Sequence, residues 1–361
     1  MILTILVAIF ALVALMVLHE FGHFALAKKF GADVEEFGVG YPPRLFGKKF
    51  GETVYSINLI PFGAFVKIKG EQGGIEEFGS FSEKALWQRA LIILGGVIMF
   101  WVVAAVLLSV VLYLGMPTAV SDAATDVEQP EVKIGQVMRD SPAAKSGLKP
   151  LDTIVQMSAG NETIYPTKVK EVQEFTKAHQ GEEITLTLDR WGDVREETVT
   201  PRINPSEGEG AMGITLARTA VKSYPAWKSP IMGTRLCFSM TIGAVKGLGG
   251  LVGQLFQGKG MPPGSEPMGP IGIFSFLNQT AQAGVANFLR FVALISIFLA
   301  IFNILPIPAL DGGKLVFLGI EAVRGEPVSP EIEEKITNFF FGLLLLLMLI
   351  VTIKFDIPRL F

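Results

Sequence analysis

Four long apolar blocks stand out in the pattern of hydrophobic and polar positions along the 361-residue chain. They lie at about 2–27, 90–114, 285–305 and 337–353. Each approaches or exceeds the roughly 17 to 25 residues that span a bilayer. The pattern therefore predicts a polytopic α-helical membrane protein with four transmembrane helices. Its 50% hydrophobic and 18% charged residues agree with that class.

The region between the first two blocks, 29–89, contains extended segments instead. Glycines and prolines at 38–43 break the pattern, and two alternating runs then follow at 54–59 and 65–69. A turn between those runs predicts a membrane-associated β-hairpin over 54–69. Its apolar tip favours a loop that dips into the membrane, and a solvent-exposed hairpin is the alternative.

Beyond the second block the composition becomes that of a soluble domain, from about 125 to 220. Short alternating runs and an amphipathic helix over Val169–Ala178 predict one small α+β domain there. The next stretch, 228–258, carries glycines spaced among leucines and valines. Because it is amphipathic rather than continuously apolar, we expect it to lie along the outer membrane surface.

The distribution of basic residues predicts the topology, whereas the net charge of -3 says little. Lysines and arginines are frequent between the first two apolar blocks, and nothing basic precedes the first block. Because positive charge favours the cytoplasmic side, we expect 29–89 to be cytoplasmic and both termini to be outside. The first block lacks a basic start and a small-residue cleavage site, so we expect it to be retained rather than removed as a signal peptide.

The first apolar block contains three ionisable side chains, His19, Glu20 and His23. Positions four apart share a helix face, so the two histidines can hold one zinc ion while Glu20 reaches the attacking water. Ionisable groups inside a membrane are costly and mark functional sites. A chance match is one alternative. A structural zinc is another, but it would need four protein ligands and would leave Glu20 without a role.

Asp311 is the candidate for a third metal ligand. It follows two prolines, Pro306 and Pro308, that unwind the end of the third predicted helix. This places Asp311 at the cytoplasmic side, which is the level predicted for the two histidines. An ordinary turn aspartate is the alternative for an Asp-Gly-Gly run. Cys237 is the only cysteine, so the chain cannot form an intrachain disulfide.

These segments together resemble the site-two protease family of intramembrane zinc metalloproteases (M50), in its bacterial RseP-like branch. The resemblance covers nearly the whole chain in the family's order. The soluble insert is similar to a single PDZ domain through its run at 141–154. The other matching segments are the motif at 19–23, the hairpin at 54–69, Gly269–Ile273 and Asn303–Gly313.

The resemblance implies an enzyme with a zinc cofactor held by His19, His23 and Asp311, and with Glu20 as general base and acid. It also implies that Asn303 holds substrate backbone and that the hairpin clamps substrate as an added strand. The hairpin residues expected to bind substrate are Asn58, Leu59 and Phe65.

The implied substrates are single-pass membrane proteins already trimmed outside, such as anti-sigma factors or signal-peptide remnants. The implied location is the lipid bilayer of a bacterial inner membrane, with the active site toward the cytoplasm. A PDZ-like domain binds a peptide by strand addition or excludes large substrates, and both roles stay open. No nucleic acid partner is expected.

The sequence departs from the family at Phe100, where an asparagine is common, and this leaves substrate handling open. Two functions from other classes are alternatives. A catalytically silent scaffold that binds peptides through the PDZ-like domain would not need Glu20. A metal transporter would use the intramembrane histidines and Asp311, but it would explain neither Glu20 nor the soluble insert.

Overall fold

The fold consists of membrane helices, a small sheet after the first helix and a larger sheet in the soluble insert. The computed structural model describes residues 2–71, 77–125, 127–138, 140–190, 192–205, 210–258, 267–282 and 284–360. The helices are α1 (Ile2–Lys29), α2 (Leu86–Leu114), α3 (Pro142–Lys145), α4 (Val169–Ala178), α5 (Ser229–Phe256), α6 (Pro270–Gln282), α7 (Val285–Asn303), α8 (Asp311–Arg324), α9 (Pro330–Val351) and α10 (Ile357–Leu360), with a π-helix over Thr352–Asp356. The strands are β1 (Val34–Phe50), β2 (Thr53–Ile68), β3 (Met116–Ala119), β4 (Glu128–Val137), β5 (Thr153–Ala159), β6 (Glu162–Ile164), β7 (Ile184–Arg190), β8 (Asp193–Val199) and β9 (Ile214–Lys222).

Within the described ranges, five helices are long and apolar enough to cross a membrane, whereas we predicted four. The additional helix is α5, whose glycines made its sequence look amphipathic. It packs along α2, with Gly233 against Ser109 and the Cys237 Sγ 3.8 Å from the Trp101 carbonyl oxygen. The structure thus gives five candidate spans, and the placement of 228–258 along the membrane surface stays a prediction.

Helix α2 lies at the centre of the membrane part and contacts α1, α5, α7 and α8. It packs closely against α1, because Gly22 and Gly95 bring the two backbones into contact. A Cβ on either glycine would overlap the backbone of the other helix. Small residues of this kind allow membrane helices to pack closely. On another side, the Ser296 hydroxyl of α7 donates to the Phe100 carbonyl oxygen at 2.7 Å.

The sheet that follows α1 differs from the predicted hairpin. The runs 54–58 and 64–68 both belong to β2, and they do not pair with each other. Both pair with β1 instead, so that Gly38 faces Ser56 on one side and Phe65 on the other. The glycines and prolines at 38–43, which we expected to break the pattern, lie inside β1. The predicted pairing was wrong because β1 supplies the partner of both runs.

The soluble insert forms an antiparallel sheet with the strand order β3-β9-β4-β5-β7-β8, and β6 pairs with β5. Helix α4 begins and ends where the sequence predicted, at Val169 and Ala178. Strands β3 and β9 extend the sheet to Met116 and Lys222, beyond the predicted bounds of 125 and 220. The side chains at its centre are fully buried, among them Val132, Ile134, Met157, Val172, Ile184, Leu186 and Leu188.

The predicted third membrane segment, 285–313, combines the apolar block 285–305 with the run that ends in Asp-Gly-Gly. It is divided in the structure. Helix α7 ends at Asn303, and α8 begins at Asp311. The break follows from Pro306 and Pro308, which lack the N–H groups that would continue the helix. None of the side chains that the structure describes in α9 is buried, although the Thr337 hydroxyl donates to the Pro308 carbonyl oxygen at 3.3 Å.

Candidate metal centre and active site

Helix α1 presents His19 and His23 one turn apart toward α2, as their spacing predicts. Gly96 of α2 lies directly against both imidazole rings. A Cβ at Gly96 would overlap the His23 Nε2 and the His19 ring. The absence of a side chain at this position therefore makes the room in which the two rings meet.

Three candidate ligand atoms converge at this point. The His19 Nε2 lies 3.3 Å from the His23 Nε2, and the Asp311 Oδ2 lies 3.4 Å and 3.5 Å from these nitrogens. Zinc binds nitrogen and oxygen ligands at about 2.0–2.2 Å, which in a tetrahedron separates the ligands by roughly 3.3–3.6 Å. The three atoms thus have the spacing that one zinc ion requires.

The surroundings of the ligands agree with that fit. The buried Asp311 Oδ2 forms no hydrogen bond with the described chain. The His23 Nδ1 lies 2.9 Å from the Ile92 carbonyl oxygen, so an Nδ1–H donates there and leaves Nε2 for a metal. Phe100 stacks on the His19 ring with centroids 4.5 Å apart. Phe100 therefore adds an apolar wall to the site.

Asp311 reaches the histidines because the chain turns sharply before α8. Gly312 and Gly313 pack on the backbone of 304–308, and a Cβ on either glycine would overlap carbonyl groups there. This close packing fixes the first turn of α8, in which Asp311 is the first residue. The structure thus brings together His19, His23 and Asp311, as we predicted.

Glu20 lies beside the cluster and contacts the edge of β2. Its Oε2 accepts a hydrogen bond from the Val66 backbone N–H at 3.1 Å. Both residues line a cavity of about 840 Å³, which also borders on His23 and Asp311. The cavity thus brings together a carboxylate, two of the three candidate metal ligands and a strand backbone.

The predicted substrate-binding residues have different environments. Phe65 lines the cavity, with its ring stacked on Tyr41 at 6.4 Å. Leu59 is exposed, whereas Asn58 is buried and its amide lies 3.2 Å from the Gly40 carbonyl oxygen. The Asn303 amide donates to the Leu299 carbonyl oxygen at 2.9 Å within its own helix.

Tyr41 and Lys314 are among the cavity residues that sequence reasoning did not identify as part of the site. Lys314 forms an ion pair with Glu71 at 2.6 Å. Glu71 beside it raises the pKa of the Lys314 ammonium above its ordinary value, so this group stays a cation. No sequence signal identified Tyr41, whereas Lys314 is the residue directly after the Asp-Gly-Gly run.

Comparison with known proteins agrees with this geometry. The model of peptidase family M50 matches residues 7–348. A Clostridium acetobutylicum protein that carries the provisional name zinc metalloprotease is 32% identical over 97% of this chain and 96% of its own length. The zinc metalloprotease RasP of Oceanobacillus iheyensis is 28% identical over 96% of this chain and 97% of its own. The regulator of sigma-W protease RasP of Bacillus subtilis is 28% identical over 96% of each.

The helices and the His-His-Asp cluster define an integral, multi-pass membrane metalloprotein. With the matches above, the chain belongs to peptidase family M50, as a zinc metalloprotease of the site-two protease type.

Proposed function

We propose that this protein cleaves the transmembrane segments of single-pass membrane proteins, and that Glu20 is the catalytic acid and base. The observation that carries the proposal is the position of Glu20. Its carboxylate accepts a hydrogen bond from the backbone of β2 and lines the same cavity as the candidate metal ligands His23 and Asp311. A peptide bond placed in the cavity would meet all three groups.

The edge of β2 suits an extended substrate. Residues 64–68 pair with β1 on one side, and no strand of the described chain pairs with their other side. That free side faces the cavity, where Ala64, Phe65 and Val66 form part of the wall. A transmembrane helix hides its carbonyl groups in internal hydrogen bonds. Local unwinding and addition to this edge would expose the scissile bond.

The proton transfers follow from the same arrangement. His19, His23 and Asp311 would hold a zinc ion, which when bound would supply the Lewis acidity that activates water and polarises a carbonyl group. Glu20 takes the proton of the attacking water and then donates it to the nitrogen of the leaving amine. The oxygen of the water forms a bond to the carbonyl carbon, and the C–N bond of the peptide then breaks. One water is therefore consumed for each peptide bond cleaved.

The topology of the proposal comes from the basic residues of 29–89, which favour the cytoplasm for this loop. The metal ligands then lie toward the cytoplasmic side of a bacterial inner membrane. Substrates of this kind include trimmed anti-sigma factors and signal-peptide remnants. Phe65 and Tyr41 are proposed to contact the substrate, and the roles of Asn58, Leu59 and Asn303 stay predictions.

A second proposal concerns the soluble insert, which we propose to be a PDZ-like peptide-binding domain. Strand β3 pairs with β9 only from Thr219 to Lys222, so the start of β9 is open on that side. There a groove of about 400 Å³ runs between β9 and α4. An extended peptide would add to this edge of the sheet.

The experiment that tests the protease uses the full chain in detergent with a tagged single-pass substrate. We expect the wild type to cleave, and Glu20→Gln to retain about one zinc per chain without cleaving, since the three ligands are unchanged. A silent scaffold would work equally well with Glu20→Gln, and a transporter would move zinc into vesicles. Cleavage by Glu20→Gln at the wild-type rate would remove Glu20 from the mechanism.

A further inference from the structure

Helix α2 contacts both parts of the candidate metal site, the histidines of α1 and the helix that begins with Asp311. One turn of this helix carries Arg89 and Ile92, three residues apart and therefore on one face. The Ile92 carbonyl oxygen accepts the hydrogen bond from His23, as described above. The Arg89 side chain contacts Glu321 of α8, the helix that begins with Asp311.

The contact between α2 and α8 is an ion pair with two hydrogen bonds. The Arg89 Nη1 donates to the Glu321 Oε2 at 3.1 Å, and the Nη2 donates to the Glu321 Oε1. A two-pronged pair of this kind fixes direction as well as distance. Between the pair and Asp311, Leu315 and Leu318 pack against a cluster that contains Ile92.

Both side chains of the pair are mostly buried, with 10% of the Arg89 side chain and 16% of the Glu321 side chain exposed. Buried ion pairs contribute little net stability compared with apolar side chains, and their best-attested role is to fix one arrangement. Glu321 is ten residues from Asp311, which is roughly 15 Å along a straight helix. A rotation or tilt of α8 near Glu321 would therefore displace the Asp311 carboxylate at the start of the same helix.

We infer that Arg89 and Glu321 are positioning residues that hold α8 in the rotation at which Asp311 completes the metal site with His19 and His23. This inference deepens the proposed function and rests on it. The ion pair acts through the helix, because Glu321 lies outside the three-ligand cluster. The same turn of α2 thus orients one histidine directly and the aspartate through its helix.

The test is the zinc affinity of the full chain in detergent, measured by competition with a chelator, for Glu321→Gln. We expect affinity to fall roughly 10- to 100-fold, as it does when groups that orient metal ligands are removed. Glu326→Gln is the matched control, since Glu326 pairs with Arg324 at the exposed end of the same helix. We expect that variant to bind zinc like the wild type.

A double variant separates positioning from folding. The double variant Arg89→Met/Glu321→Met removes the pair without leaving a buried charge, so it should fold while zinc affinity still falls. The visible spectrum of bound cobalt should also change, because its bands report ligand geometry. If this double variant binds zinc with wild-type affinity and an unchanged cobalt spectrum, the inference is wrong.

His19→Ala distinguishes a failure of this inference from a failure of the proposed metal site. If His19→Ala leaves zinc binding intact, the site itself is wrong. If His19→Ala abolishes zinc binding but the Arg89 and Glu321 variants do not affect it, only the positioning role is overturned.

Discussion

Gly96 lies against both imidazole rings of the candidate metal site, and a methyl group there would occupy the space of the His19 and His23 rings. We expect Gly96→Ala to lower zinc affinity at least tenfold, the lower end of the loss seen when a ligand's support is removed. Zinc titration of the purified variant measures this.

Gly249→Ala is the control for that substitution. Gly249 lies within α5, where an added Cβ meets no described atom within 4 Å. Alanine there should favour the helix by up to about 1 kcal/mol and should leave zinc affinity unchanged. Equal zinc affinity in Gly96→Ala and the wild type would show that the rings have room to shift.

At the residue scale, the sequence predicted the ligands but not their surroundings. His19 and His23 are four apart in one helix, so their convergence is a local property that a single sequence displays. Gly96, Phe100 and Tyr41 contact the site through folding of distant segments, which no local pattern encodes. Asp311 was predictable because the prolines before it mark a break in an apolar helix.

Among the elements, the sheet of the soluble insert depends on an ion pair between the start of β5 and the end of β7. Arg190 Nε donates to the Asp152 Oδ1 at 2.7 Å, and only 1% of the Asp152 side chain is exposed. Asp152→Asn would leave the guanidinium without its counter-charge. We expect the insert to lose about 3–5 kcal/mol of stability. Hydrogen exchange of the β5 and β7 amides in the full chain measures this.

Asp193→Asn provides the comparison, since it removes the same charge from a pair with Arg195 in which 60% of the Asp193 side chain is exposed. An exposed pair contributes up to about 1 kcal/mol, so the exchange rates should change little. If both variants exchange alike, burial of Asp152 does not matter for the insert.

Elements with local signals were predicted better than elements defined by pairing. Helix α4 has the predicted bounds because its apolar positions follow one helical period. The two alternating runs of β2 were found, but their shared partner β1 was not, because strand pairing depends on segments apart in sequence. Helix α5 was not counted among the predicted spans because glycines dilute its apolar character, although its length and composition would allow it to cross a membrane.

At the scale of the whole molecule, the candidate active site is assembled from α1, β2, α2 and α8. The soluble insert lies between α2 and α5 in the chain, and none of its described residues lines the cavity that contains Glu20. An insert so placed would influence the proposed cleavage through how substrates reach that cavity, either by binding a peptide or by excluding bulky substrates.

The groove of the insert offers a way to separate these two roles. Gln173 is exposed on α4 and lines the groove, whereas its neighbour Glu174 is exposed and does not. If the groove binds peptide, Gln173→Trp should fill it and weaken binding of an extended peptide about tenfold, or roughly 1.4 kcal/mol. Cleavage of a trimmed substrate at low concentration should slow by a similar factor, and Glu174→Trp should behave as the wild type.

If the insert instead excludes large substrates, the result differs. Exclusion depends on the size of the substrate's outer domain and not on the groove. In that case neither tryptophan variant would alter cleavage of a trimmed substrate. A substrate with a folded outer domain would stay uncut by the wild type and both variants. The comparison of two substrates across these variants, by quantitative gel analysis, decides between peptide binding and exclusion, since only binding predicts a loss confined to Gln173→Trp.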